Sequence, residues 1–218
     1  MELKEIILHD ATNRQKKNEV GFNLQTNVFS QIVSRYLQGA LTDEVESLMV
    51  YCLAGMKETI VDSYTIENGL TIKIPYNPKE FLDLRDPEEK YSEYYRVFNE
   101  FISPVFREKS WNYTPVKDAL EKIKEHKYSV EFLLKGTPKK SPDKEHTAYA
   151  VGVHTVTSFK LMAKIYHKSG LLVKEEVLVE EVPSHVVYGR FLGKPVWVDN
   201  RTFQVASKTS QWVGVITL

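Results

Sequence analysis

The spacing of apolar positions changes near Lys127. Before it, apolar residues recur mostly at three- and four-residue intervals; after it they alternate with polar ones. In the front half, Val28, Ile32, Val33, Tyr36 and Leu37 share one helical face, with Asn27 placed to cap the start and Gly39 lying past the end. Thr42 reads as the cap of a second helix, with Asp43 and Glu44 in its first turn. Val45, Leu48, Met49, Cys52 and Leu53 would form its buried stripe, and the short link predicts an antiparallel helical hairpin. Asn68-Gly69 then separates two β-type runs. That dipeptide supplies the positive φ angles of a type I′ turn, so a β-hairpin is predicted over 60–75 with Asn68 and Gly69 at its tip. Asp86-Pro87 opens a third helix, whose wide face of Tyr91, Tyr94, Tyr95, Phe98, Phe101 and Ile102 reads as core. Pro104 ends or kinks it, and Thr114-Pro115 opens a fourth helix running to about His126. Residues 3–9 read as a short strand. Residues 10–25 read as a loop or arm carrying the small basic cluster Arg14, Lys16 and Lys17.

Beyond residue 128 about seven strands are predicted. Val130, Phe132 and Leu134 alternate, and 148–156 forms a strand with Ala148, Ala150, Gly152 and His154 on one face. Residues 159–167 fit a strand or a helix. The strand is preferred, because Lys168-Ser169-Gly170 makes a hairpin loop into 171–181. Runs at 186–192 and 195–199 flank a turn at Gly193-Lys194, and 202–206 is placed to pair with 212–216. Glu175, Glu176, Glu180 and Glu181 lie opposite Lys160, Lys164 and Lys168, in the manner of cross-strand ion pairs. The last strand, 211–218, has apolar residues on both faces. Trp212, Val213, Val215, Ile216 and Leu218 therefore join Asn68 and Gly69 as interface candidates, with cover expected from another subunit.

Composition sharpens this picture in three places. The chain has 218 residues with 29 basic and 29 acidic side chains, and 22 lysines against 7 arginines. A neutral, arginine-poor chain disfavours direct nucleic-acid binding, which relies on neutralising phosphates. Cys52 is the sole cysteine, so no intrachain disulfide can form, and its apolar surroundings read as those of a buried small hydrophobe. No apolar stretch approaches the ~20 residues that a membrane-spanning helix needs, and the N-terminal residues lack a signal-peptide core.

Candidate chemistry is sparse. No Gly-rich phosphate loop and no Gly-x-Ser-x-Gly elbow appears. His146 and His154 on one strand stand roughly 26 Å apart at ~3.3 Å per residue. His146 and His167 could approach across a hairpin but lack an obvious third ligand. A dispersed Ser–His–Asp triad stays open, since its members can be distant in sequence.

The fold expected is α+β: a helical N-terminal half (1–127) with one β-hairpin, then an antiparallel β-sandwich or barrel-like half (128–218) packed with it as one unit. The function expected is that of a non-enzymatic structural or interaction protein. No catalytic, cofactor or metal residues are assigned, and the partners expected are proteins, copies of itself and other subunits of an assembly such as a virus particle, with no membrane. The location expected is the cytoplasm, with incorporation into a virion. The alternatives are a small soluble enzyme, and a binding module that inhibits or escorts one partner.

Overall fold

The computed structural model describes residues 1–11 and 21–218, with the backbone alone at 63–65. The basic cluster at Arg14, Lys16 and Lys17 lies outside the described residues. The chain divides into two compact units, Met1–Ser129 and Val130–Leu218.

The first unit is built on a mixed sheet, which overturns the expectation of a helical front half. In chain order it contains β1 (Glu5–Asp10), α1 (Phe22–Tyr36), β2 (Ser47–Cys52), β3 (Ile60–Ile66), β4 (Gly69–Ile74) and α2 (Pro78–Leu82). Next come α3 (Pro87–Val97), a π-turn (Phe98–Ile102), α4 (Ser103–Glu108) and α5 (Thr114–Glu125). The strand order is β1-β2-β4-β3, with β1, β2 and β4 mutually parallel and β3 antiparallel at the edge. The segment read as a second helix is therefore the inner strand β2. Its apolar residues satisfy both periods, but Leu48, Val50 and Cys52 are buried while Ser47, Met49 and Tyr51 are only half-buried. Thr42 caps nothing; its hydroxyl donates to the Val45 carbonyl and its amide to Met1, closing the turn into β2. In register, Ile6, Leu48 and Leu70 form one buried row and Leu8, Val50 and Ile72 the next. Each such side chain contributes roughly 1.5–3 kcal/mol on burial.

α1 crosses over between β1 and β2 and packs along β1 and α5. It starts at Phe22, five residues before the cap read from sequence, so that Phe22 meets the Phe81 ring and Phe29 meets both Phe81 and Tyr94. α3 begins as its sequence specifies: Asp86 accepts from the Glu88 amide at 2.7 Å, with Pro87 in the first turn. Pro104 does not end the helix. The wider π-turn just before α4 accommodates a residue that lacks an N–H.

The second unit is antiparallel throughout. It comprises β5 (Val130–Leu133), β6 (Lys139–Lys140), β7 (His146–His154), β8 (Phe159–His167), β9 (Leu172–Glu181), α6 (His185–Tyr188), a 3₁₀ turn (Gly189–Phe191), β10 (Lys194–Trp197), β11 (Thr202–Ala206) and β12 (Val213–Thr217). One sheet runs β5-β7-β8-β9 with β6 also on β7; the other runs β10-β11-β12. Their facing sides share one core, in which Ala148, Ala150, Phe159, Leu161, Phe203 and Ile216 are buried. The sheets approach at both edges. At one, the Trp197 indole donates to the Lys139 carbonyl at 2.9 Å; at the other, Lys174 Nζ donates to the Thr217 carbonyl at 2.7 Å. The run at 186–192 is not the predicted strand. It forms α6 and the 3₁₀ turn, which place Tyr188 and Phe191, three residues apart, in the core.

Candidate functional site

Strand alternation gives the five-stranded sheet one face in the core and one facing outwards. Register then assembles the outer face from rows that cross the strands. Leu133, Val151, Met162 and Val177 form an apolar row over β5, β7, β8 and β9. Beside it on one side runs Tyr149–Lys164–Glu175, then Thr147–Tyr166–Leu172; on the other side runs Glu131–Val153–Lys160–Glu180. Two bulges in β9 keep these positions outward; the extra residue of one, Leu178, packs against the core, and that of the other, Val173, is exposed. Leu133 (54% exposed), Leu172 (42%) and Val177 (47%) leave the apolar positions open to water. A concavity of about 640 Å³ lies on this face between β5, β7, β8 and the turn at Lys168–Gly170, floored by Thr147, Tyr149, Val151 and Lys164. The Tyr149 and Tyr166 rings meet edge to face there, with centroids 5.5 Å apart.

Charge on this face is ordered by strand. β8 carries Lys160 and Lys164, while β9 carries Glu175 and Glu180. Lys164 pairs with Glu175 at 3.2 Å and Lys160 with Glu180 at 3.5 Å, two of the cross-strand pairs read from sequence. The remaining charges take other partners: Glu176 pairs with Lys174, Glu181 with Arg190, and Lys168 with Glu145.

The interface candidates fall at three kinds of place. The hairpin tip is present, but the two residues with positive φ are Glu67 (49°) and Asn68 (62°). Gly69 is the first residue of β4, where an added Cβ would lie 3.1 Å from the Ile66 carbonyl and the Ser47 hydroxyl. In the terminal strand, Ile216 is buried in the unit's own core, and Trp212 and Leu218 pack against it. Only Val213 (45% exposed) and Val215 (47%) face outwards. One face of β12 is thus covered by the unit's own core, and the other is open. The outer-face rows of β5, β7, β8 and β9 were missed as a unit; alternation marked the strands individually, but register decides which residues stand side by side.

The histidines divide by environment. His146 and His167 sit opposite each other in register with ring centroids 5.7 Å apart, and Glu145 lies 3.8 Å from His167 Nε2. Among the described residues no three His, Cys, Asp or Glu side chains form a group able to hold a metal ion. His154 is fully buried beside the Tyr188 hydroxyl (3.3 Å), and burial, aided by nearby His185, lowers its pKa to about 4. Burial, followed by the charge of Asp10, pushes the Cys52 thiol far up, away from nucleophilic reactivity. Lys90 is buried over the Phe81 ring and donates to the Phe81 carbonyl at 2.8 Å; its pKa is lowered by burial. Among the described residues no helix is long and apolar enough to cross a membrane.

Comparison with known proteins finds no matching family model, no matching curated protein and no matching solved structure.

Proposed function

We propose that this chain is a non-enzymatic interaction protein that binds a protein partner through the outer face of the five-stranded sheet. The observation supporting this reading is the apolar row Leu133–Val151–Met162–Val177, open to water at both ends and bordered by ordered charge. A contiguous exposed apolar patch with a polar rim is the usual mark of a protein contact. Membership of a repeated assembly such as a virion is the finer form of the same proposal. The outward Val213 and Val215 of β12 support it by offering a second contact. The test places a photo-activated cross-linking residue at Tyr149, at Val177 or, as control, at the exposed Glu121 of α5, in cells that make the protein. The two sheet positions are expected to give a discrete adduct of one mass, and Glu121 none. No adduct from the sheet face, with or without one from Glu121, overturns the proposal.

A further inference from the structure

The order of charge on the outer face selects its occupant. Each charged row is a small dipole: Lys164 on β8 beside Glu175 on β9, and Lys160 beside Glu180. A second copy laid face to face about a two-fold axis parallel to the strands, between β8 and β9, keeps every row in place and exchanges the two strands. Lys164 then lies over Glu175 of the second copy and Lys160 over Glu180. Met162 lies over Val177 and Tyr166 over Leu172. Each carboxylate gains a second ammonium, and the apolar rows meet apolar rows.

Two other two-fold placements fail on the same residues. An axis running across the strands through the Met162 row sets the Lys164 row over the Lys160 row, ammonium against ammonium. An axis centred on β8 sets its lysines over themselves. Like charges brought together carry a penalty in an interface. A different partner would need its own complementary columns of charge at the strand spacing, whereas a second copy supplies them by symmetry.

We propose, resting on the interaction reading above, that this face pairs with the same face of a second copy through β8 and β9. The overlap is about two strands wide and four rows long, on the order of 300 Å² per copy from strand and row spacings. That is below the size of a standard stable interface. The pairing is therefore weak, sensitive to salt, and strongest where copies are concentrated.

Sedimentation equilibrium from low micromolar to near-millimolar concentration tests it with two reciprocal variants. Lys160→Glu/Lys164→Glu makes both columns acidic; Glu175→Lys/Glu180→Lys makes both basic. Wild type is expected to form a salt-sensitive dimer, and each variant alone to dimerise at least tenfold more weakly. An equimolar mixture of the two is expected to recover the wild-type level, because acidic columns then face basic ones. Circular dichroism checks that each variant is folded. If either double variant is not, the single changes Lys164→Glu and Glu175→Lys take its place in the same mixing experiment. A wild type that stays monomeric throughout overturns the proposal, as does a wild-type dimer that either variant leaves intact or a mixture that recovers nothing. A monomeric wild type together with sheet-face cross-links to a chain of another mass overturns the self-pairing and leaves the interaction reading standing. Absence of any sheet-face adduct overturns that reading itself.

Discussion

His154 gives the second unit a dependence on pH that can be worked out in advance. Its imidazole is completely buried, and its pKa falls from the ordinary 6.5 to about 4. The unfolded chain takes up this proton near pH 6.5, while the folded chain refuses it until about pH 4. Stability is therefore full above pH 6.5 and declines as pH falls through that window, since the unfolded state binds more protons there. At pH 5 the expected loss from this one group is roughly 2 kcal/mol, approaching ~3 kcal/mol below pH 4. His154→Gln keeps a hydrogen-bonding group near the Tyr188 hydroxyl and does not titrate. Urea unfolding at pH 8 and at pH 5, followed on the amide resonances of β7 and β8, isolates the effect from the first unit. Wild type is expected to lose ~2 kcal/mol more than His154→Gln between the two conditions. Equal losses would refute the reasoning, showing that the ring is reached by water or is already charged in the folded state.

Four further outcomes are expected. Gly193→Ala places a Cβ 1.8 Å from the Ala206 carbonyl oxygen, so backbone must shift; urea unfolding is expected to register a loss of about 2–3 kcal/mol. Ile216→Ala empties part of the second unit's own core and is expected to cost about 2–5 kcal/mol by the same measurement; deletion of 211–218 is expected to unfold that unit rather than leave a folded protomer. Glu67→Asn replaces a side chain held at φ 49° by one that tolerates positive φ, with an expected gain of about 0.5–1 kcal/mol read from hydrogen exchange in β4.

Legibility followed the locality of the interactions. β7 and β8 were readable because each buries one face, so Ala148, Ala150 and His154, and Phe159, Leu161 and Ile165, alternate with polar or half-buried neighbours. The start of α3 was readable from Asp86 and Pro87, and its course from the spacing of Tyr91, Tyr94 and Tyr95. β2 was not. Leu48, Val50 and Cys52 alternate, but Met49 and Leu53 complete a helical stripe as well, and only pairing with β1 and β4 decides between them. The 186–192 run failed for a similar reason: Tyr188 and Phe191 turn inwards on one side of a short helix because the core lies there. The hairpin at 67–68 was placed within a residue, yet its positive-φ positions shifted to Glu67 and Asn68, since the register of Ile66 with Gly69 sets the turn. The outer-face rows needed register across four strands, which no single segment specifies.

The two units also differ in how far apart in the chain their neighbours lie. β7, β8 and β9 are successive strands joined by short turns, and so are β10, β11 and β12. β1, in contrast, has β2 as its sheet neighbour among the described residues, reached only after the whole of α1 and the chain on either side of it. Local pairings close cheaply and early, whereas distant parallel ones must first overcome loop-closure entropy. On refolding from denaturant, the β7–β9 meander is therefore set to gain protection before β1 docks. Until it does, Ile6 and Leu8 remain uncovered apolar surface, which makes the first unit the slower to commit and the more open to misassociation while it waits.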